Sequence, residues 1–137
     1  MGTIAAIDFG TKRTGVAITD PMKIVASGLE TVKTERLLPY LQELCLRESV
    51  EVLVVGEPKQ RLGNHSEVEQ HILKFIDKFH TLCPEVEIHR FDERFTSKLA
   101  MRSLIDAGVS RKKRRDKGLI DQISATIILQ DYLKTQL

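Results

Sequence analysis

The chain has 137 residues, of which 42% are hydrophobic and 29% charged, and this composition excludes a disordered or fibrous protein. It has no apolar run long enough to span a membrane and no secretory signal, so we expect a cytoplasmic protein without membrane contacts. The net charge of +2 conceals a basic run, 111–117, with six bases and one acid. Either contact with a polyanion or exposure of a solvated loop would explain this run.

The first elements are three β-strands joined by short links. The apolar run Ile4 to Ile7 ends at a lone acid, Asp8, and a glycine-containing turn leads into a second β-prone run, 16–19. A third strand is expected from Ile24 to about Val32. Because the links are short, these strands are predicted to form an antiparallel meander.

The rest of the chain alternates between helices and strands. The segment 51–56 holds a continuous apolar run, 52–55, which predicts a strand buried on both faces, and 86–91 alternates as a fifth strand. Helical spacing of apolar residues predicts helices at 37–45, 66–79 (opened by a Ser66–Glu69 capping box), 96–108 and 119–133. Right-handed crossovers through these helices would make strands one, four and five parallel. We therefore expect one α/β domain over 1–137, built on a five-stranded mixed sheet.

The strand directions sort the acidic residues between two edges of this sheet. Asp8 ends strand one, Glu57 ends strand four, and Asp92 and Glu93 follow strand five. All of them are expected at the carboxyl edge of the parallel strands, where sites form in such sheets. Asp20 ends an antiparallel strand, so it is expected at the opposite edge as a turn residue.

A further acid could reach this carboxyl edge from the last helix. Asp121 lies in its first turn, where the helix dipole alone would explain a carboxylate, but the small Ser124 and Ala125 would let this helix end approach the sheet. Carboxylates of Asp8, Glu93 and Asp121 brought together would repel one another unless a cation neutralised them. Mg²⁺ (or Mn²⁺) suits such oxygen ligands, and two such ions can activate a water to attack a phosphodiester. Each acid taken alone is explained as well by a solvated strand or helix end.

Several motifs together resemble one known family. The first, DFGTKRTGVA at 8–17, is similar to the opening D-x-G-x-x-R-x-G-x-A of the YqgF family, also called RuvX. The later motifs are Val54-Val55-Gly56 with Pro58, Asp92-Glu93-Arg94-Phe95-Thr96, and Asp121 with Ala125, Ile128-Leu129-Gln130 and Tyr132-Leu133. The resemblance covers essentially the whole chain. It implies an RNase H-like sheet, with three antiparallel strands and then two parallel ones, flanked by helices on both faces. It also implies a catalytic, metal-binding set of Asp8, Glu93 and Asp121.

The resemblance further implies a nuclease. Members of the family are described as nucleases that process the 5′ end of precursor 16S rRNA and as Holliday junction resolvases. We therefore expect a metal-dependent endonuclease acting on precursor rRNA during ribosome biogenesis, with four-way DNA junctions as the alternative substrate. The alternative function is a non-catalytic nucleic-acid-binding factor in ribosome assembly or transcription. The oligomeric state is left open between a monomer and a homodimer. Phosphate contacts are expected from Lys12, Arg13, Arg94 and the run Arg111, Lys112, Lys113, Arg114 and Arg115.

Glu57 departs from the family pattern, because an apolar residue commonly stands between this glycine and proline. Two interpretations follow from its position at the end of strand four. The side chain is either a fourth metal ligand or a carboxylate directed into solvent.

Overall fold

The computed structural model of the protein describes residues 2–58, 67–93 and 117–136. Its strands are β1 (Thr3–Asp8), β2 (Arg13–Thr19), β3 (Ala26–Lys33), β4 (Val50–Glu57) and β5 (Glu87–Asp92). A 3₁₀ turn, Thr34–Arg36, leads into helix α1 (Leu37–Glu48), which tolerates Pro39 because it lies in the first turn. The other helices of the described ranges are α2 (Glu67–Leu82) and α3 (Lys117–Thr135).

The five strands form one mixed sheet in the order β3-β2-β1-β4-β5. The pairs β1–β2 and β2–β3 are antiparallel, whereas β1–β4 and β4–β5 are parallel. The predicted meander followed by two parallel strands is therefore confirmed. The two strands with continuous apolar runs, β1 and β4, lie in the middle, where both faces of a strand are covered.

Side-chain alternation along the central strands divides the core between the two faces of the sheet. On one face, Ile7 and Val55 pack among buried residues of α1 and α2. On the other, Ala6 and Val54 pack against Ala125 and other buried residues of α3. Helices therefore cover both faces, as the family resemblance implied. The same alternation decides where each side chain at the carboxyl edge is directed.

Asp20 holds the turn between β2 and β3 at the opposite edge, as predicted. Its Oδ1 accepts hydrogen bonds from the backbone N–H groups of Ile24 and Val25 at 2.9 and 2.7 Å, and its Oδ2 accepts one from that of Met22 at 3.0 Å. These bonds lower the pKa of Asp20 below its usual 3.8. Because the same bonds hold Ile24 and Val25 in the turn, β3 begins at Ala26 rather than at Ile24.

Two predicted helical features, the helix over 96–108 and the Ser66 N-cap of α2, fall outside the described residues. In the described part of the chain, no helix is long and apolar enough to cross a membrane.

Candidate active site

Asp8 and Glu93 meet at the carboxyl edge of the sheet, on the face that α3 covers. Asp8 ends β1 and shares a face with Ala6, while Glu93 follows β5 on the face of Phe91. Gly56, at the end of β4 between them, leaves the room that this pair needs. A Cβ built on Gly56 would lie 2.8 Å from Oε1 of Glu93 and 3.0 Å from Cδ1 of Ile128. Any other residue there would have to displace the Glu93 carboxylate or α3.

The carboxyl groups of Asp8 and Glu93 are hydrogen-bonded to each other, which requires a proton between them. Burial, first of all, together with the nearby charges of Glu93 and Asp121 and the hydrogen bond to Glu93, raises the pKa of Asp8 from 3.8 to about 7. The Ser124 hydroxyl opposes this effect, since it donates a hydrogen bond to Asp8 and favours the ionised form. Near neutral pH, the cluster therefore retains a proton that an isolated aspartate would have lost.

Helix α3 begins at Lys117, two residues earlier than predicted, so Asp121 lies in its second turn rather than its first. Asp121 reaches the same site because these turns of α3 lie directly on β2. Gly15 pairs with Asp8 across β1 and β2, and a Cβ built on Gly15 would lie 1.9 Å from the backbone oxygen of Asp121. Only glycine allows this approach, since 1.9 Å is far inside van der Waals contact. The sequence predicted small residues on the helix side of this contact, and Ala125 of α3 is completely buried; the structure adds Gly15 on the side of the sheet.

Arg13 binds Asp121 at the rim of the site. Its Nε donates a hydrogen bond to Oδ2 of Asp121 at 3.0 Å, with about a third of the Arg13 side chain still accessible (39%). This ion pair joins the start of β2 to the start of α3. It also gives the site one fixed positive charge beside three carboxylates.

Oxygen donors of this kind suit a hard divalent cation. Asp8, Glu93 and Asp121 supply only carboxylate oxygens, and the charges of Glu93 and Asp121 contribute to the raised pKa of Asp8, as expected for neighbouring carboxylates with no cation between them. In the described ranges, however, no three acidic, histidine or cysteine side chains are already arranged as ligands of one ion. Oδ2 of Asp121 is instead paired with Nε of Arg13 at 3.0 Å.

Glu57 lies on the other face of the sheet. Along β4 it shares a face with Val55, which packs toward α1 and α2, whereas Gly56 faces Glu93. Its Oε2 lies 3.9 Å from Nη1 of Arg90. The structure thus brings Asp8, Glu93 and Asp121 together and directs Glu57 away from them.

Arg90 and Glu69 form a buried ion pair that sequence reasoning did not single out. Glu69 is only 4% exposed, and its two oxygens accept hydrogen bonds from Nη2 and Nη1 of Arg90 at 2.7 and 3.1 Å. Arg90 also donates to the backbone oxygens of Val55 and Gly56 at 3.3 and 3.1 Å. This network fixes the ends of β4 and β5 to α2. The sequence analysis assigned Glu69 to a capping box with Ser66 and gave no signal for its pairing with Arg90.

The cationic residues predicted to contact phosphates are only partly described. Lys12 is exposed in the β1–β2 turn, and its backbone oxygen accepts a hydrogen bond from the Thr34 N–H at 3.0 Å. Arg13 is the rim residue described above. Arg94 and the basic run 111–115 lie outside the described residues.

Comparisons with known proteins agree on one family. The sequence profile described as RuvX, Holliday junction resolvase, matches residues 2–135. A protein of Christiangramia forsetii is 53% identical over 133 residues, covering 97% of this chain and 98% of its own. A protein of Flavobacterium johnsoniae is 48% identical over 136 residues, covering 99% of both chains. Both carry the provisional name pre-16S rRNA nuclease.

Solved structures share the fold at low sequence identity. RuvC of T. thermophilus, in complex with a Holliday junction substrate, superposes with a TM-score of 0.64 at 17% identity and covers 99% of this chain and 97% of its own. The fowlpox virus resolvase, also solved with Holliday junction DNA, gives 0.51 at 14% identity, covering 96% and 99%. These likenesses concern the fold, and they confirm the expected RNase H-like arrangement of the sheet and helices.

Proposed function

The chain belongs to the RuvX family, and from this premise we propose that it is a metal-dependent endonuclease that processes the 5′ end of precursor 16S rRNA. The observation that carries the proposal is the convergence of Asp8, Glu93 and Asp121 from three distant parts of the chain at one edge of the sheet. Precursor 16S rRNA is favoured as the substrate because relatives about half identical to this chain are named for it. Such a substrate places the protein in the cytoplasm.

Asp8, Glu93 and Asp121 would hold Mg²⁺ or Mn²⁺. When bound, these ions supply an activated water and neutralise the leaving oxygen of a phosphodiester. Asp8 and Glu93 are already side by side and would exchange their shared proton for the cation, since ligand carboxylates must be ionised. Asp121 would complete the set from the start of α3. Ser124 holds the Asp8 carboxylate in position through its hydroxyl.

Arg13 would bind the substrate beside these carboxylates. Its Nε is committed to Asp121, and within the described ranges its two Nη nitrogens have no partner. Those nitrogens can therefore donate to a phosphate oxygen, which is the geometry for which guanidinium groups are suited. Lys12, exposed next to it in the turn, would add a second positive charge near the same strand.

A four-way DNA junction is the second candidate substrate. The family profile is described as a Holliday junction resolvase, and this observation specifically favours it. A symmetric junction presents two cleavage sites, so that reaction calls for a homodimer, whereas cleavage of one rRNA leader requires only a monomer. RNA and DNA are distinguished by contacts to the 2′-hydroxyl, which residue types alone do not reveal.

One cleavage assay tests both the activity and the choice of substrate. The purified protein is incubated with Mg²⁺ or Mn²⁺ and either a labelled 16S precursor leader or a labelled four-way junction, and its mass in solution is measured in parallel. Leader cleavage at one position is the expected result. Preferential junction cleavage by a homodimer would replace rRNA with DNA as the substrate.

Asp8→Asn serves as the variant that identifies the site. It should abolish cleavage while binding of the nucleic acid persists, because it removes a metal-binding charge and little volume. Glu57→Gln is the matched control, since Glu57 lies on the other face of the sheet and should not be needed. Undiminished cleavage by the Asp8 variant would show that the proposed site is wrong. Binding that is salt-dependent, indifferent to Mg²⁺ and without cleavage would indicate a non-catalytic factor.

A further inference from the structure

A groove of about 240 Å³ lies on the face of the sheet opposite α3, beside the β1–β2 turn. It runs between that turn, the 3₁₀ turn before α1, and helix α2. The residues that line it are Phe9, Thr11, Thr34, Glu35, Leu38, His71, Lys74, Phe75 and Lys78. Because Phe9 directly follows Asp8 in the chain, the groove begins next to the candidate active site.

The rim of the groove is positively charged. Lys74 and Lys78 lie four residues apart on α2 and are both exposed, so they present their ammonium groups from the same side of the helix. A second depression of about 510 Å³ adjoins the first through Thr11 and Glu35 and is lined otherwise by Lys12, Arg13 and Lys33, so that three cations there outnumber one carboxylate. The two depressions together form a basic track from the carboxylates over the tip of the hairpin to α2.

The lysines of this track are not neutralised by the fold. Among the described residues, Lys12, Lys33, Lys74 and Lys78 have no carboxylate within ion-pair distance. By contrast, Lys23 and Lys134, near the other edge of the sheet, pair with Glu51 and Asp131 at 2.6 and 3.8 Å. Several uncompensated cations in a row attract a chain of regularly spaced negative charges.

The floor of the groove is apolar and partly aromatic. Phe9 is half-buried, and its ring centroid lies 5.6 Å from that of Phe75, which belongs to the core. Leu38 and the exposed imidazole of His71 border the same space. An aromatic floor beneath lysines is the combination that binds single-stranded nucleic acid, because bases stack on the rings while the lysines contact the phosphates.

We propose that this groove binds a single-stranded RNA segment of the substrate next to the cleaved bond. Lys74 and Lys78 contact its phosphates, and one of its bases rests against Phe9 and His71. Lys12 and Lys33 guide the strand from the groove over the hairpin tip toward Asp8 and Glu93. The inference rests on the proposed nuclease function and adds to it a requirement for an unpaired segment beside the cleavage position.

The test is equilibrium binding of a labelled single-stranded RNA of about 12 nucleotides from the precursor leader, measured with a chelator present so that no cleavage occurs. In the double variant Lys74→Gln, Lys78→Gln, the slope of log K against log salt should fall by about 1.4, since each phosphate contact to a single strand contributes about 0.7. If the variant and the wild type bind equally when extrapolated to 1 M salt, this difference in slope makes the variant bind about 25-fold more weakly than the wild type at about 0.1 M salt.

A matched control removes the same charge from elsewhere on the molecule. The double variant Lys23→Gln, Lys134→Gln has the same net charge but alters residues near the opposite edge, and it should keep the wild-type slope. Equal losses in the two variants would mean that overall charge alone drives binding, and would overturn the proposal. An equal loss with a fully paired RNA duplex would overturn it too, since a duplex cannot place a base in the groove.

Ultraviolet crosslinking of the same RNA locates the base directly. Crosslinks should appear on peptides that contain Phe9 or His71, and crosslinks confined to other peptides would contradict the groove. The failures of the two proposals are distinguishable. If the wild type cleaves and the Lys74→Gln, Lys78→Gln variant keeps the wild-type slope of log K against log salt, the nuclease function stands and the groove proposal fails. If the slope changes and no protein cleaves, the groove proposal stands and the nuclease function fails.

Discussion

Replacing Asp8 with Asn should change folding stability in a way that depends on pH. The carboxyl titrates near 3.8 in the unfolded chain, whereas burial and the neighbouring Glu93 and Asp121 raise the pKa of Asp8 in the folded protein to about 7. Between these two values, the folded state holds a proton that the unfolded chain has released. The stability due to this proton is fully present below the unfolded pKa and is lost as pH rises through the folded pKa.

The size of the effect follows from the shift. A difference of about 3 pKa units corresponds to about 4 kcal/mol in total, of which roughly 2.6 kcal/mol is lost between about pH 5 and pH 8. Asparagine has no charge to bury at either pH. The free energy of unfolding of Asp8→Asn, relative to that of the wild type, should therefore rise by about 2.6 kcal/mol from about pH 5 to pH 8.

Urea denaturation of both proteins at the two pH values, with a chelator present, measures this difference. Titrating groups distant from Asp8 contribute equally to both proteins and cancel, so the difference reports on the cluster of Asp8, Glu93 and Asp121. Adding Mg²⁺ at the higher pH should stabilise the wild type and not the variant, because only a ligand that binds the folded state shifts its stability. If the free energies of unfolding of the two proteins differ by the same amount at both pH values, the raised pKa of Asp8 in the folded protein is refuted.

Asp20→Asn provides a control of opposite sign. Backbone N–H groups lower the pKa of Asp20 in the folded protein, so its contribution to stability is present above the unfolded pKa and lost as pH falls through the folded one. This variant should be less stable than the wild type near neutral pH, and the difference should shrink toward acidic pH.

Three further substitutions test how the site is assembled. Gly15→Ala would place a Cβ 1.9 Å from the backbone oxygen of Asp121. We expect the free energy of unfolding, measured by urea denaturation, to fall by about 3 kcal/mol or more and cleavage to be lost. A fully active variant would contradict the close approach. Glu69→Ala removes the carboxylate that pairs with the Arg90 guanidinium and should lower the free energy of unfolding by about 3–5 kcal/mol. A change below about 1 kcal/mol would show that the pair is not buried in solution. Glu57→Gln should leave metal-dependent cleavage unchanged in the same assay, whereas a large loss would return Glu57 to the ligand set.

The direction of the strands could be predicted because it depends on local properties of the sequence. Apolar runs such as 52–55 identify strands buried on both faces, and the lengths of the links decide which neighbours are antiparallel. Strand direction alone then placed Asp8 and Glu93 at one edge and Asp20 at the other, and the structure agrees. The roles of Asp8, Glu93 and Asp121 as metal ligands remain a prediction.

Only the tertiary structure decided which acids at that edge face one another. Glu57 ends β4 and Glu93 follows β5, but alternation along the two strands directs these side chains to opposite faces. One residue more or less in either strand would reverse the result. The contact of Asp121 with the sheet depends on Gly15, more than a hundred residues earlier in the chain, and the pairing of Glu69 depends on Arg90. Such contacts depend on how helices pack on the sheet, and no local pattern in the sequence records them.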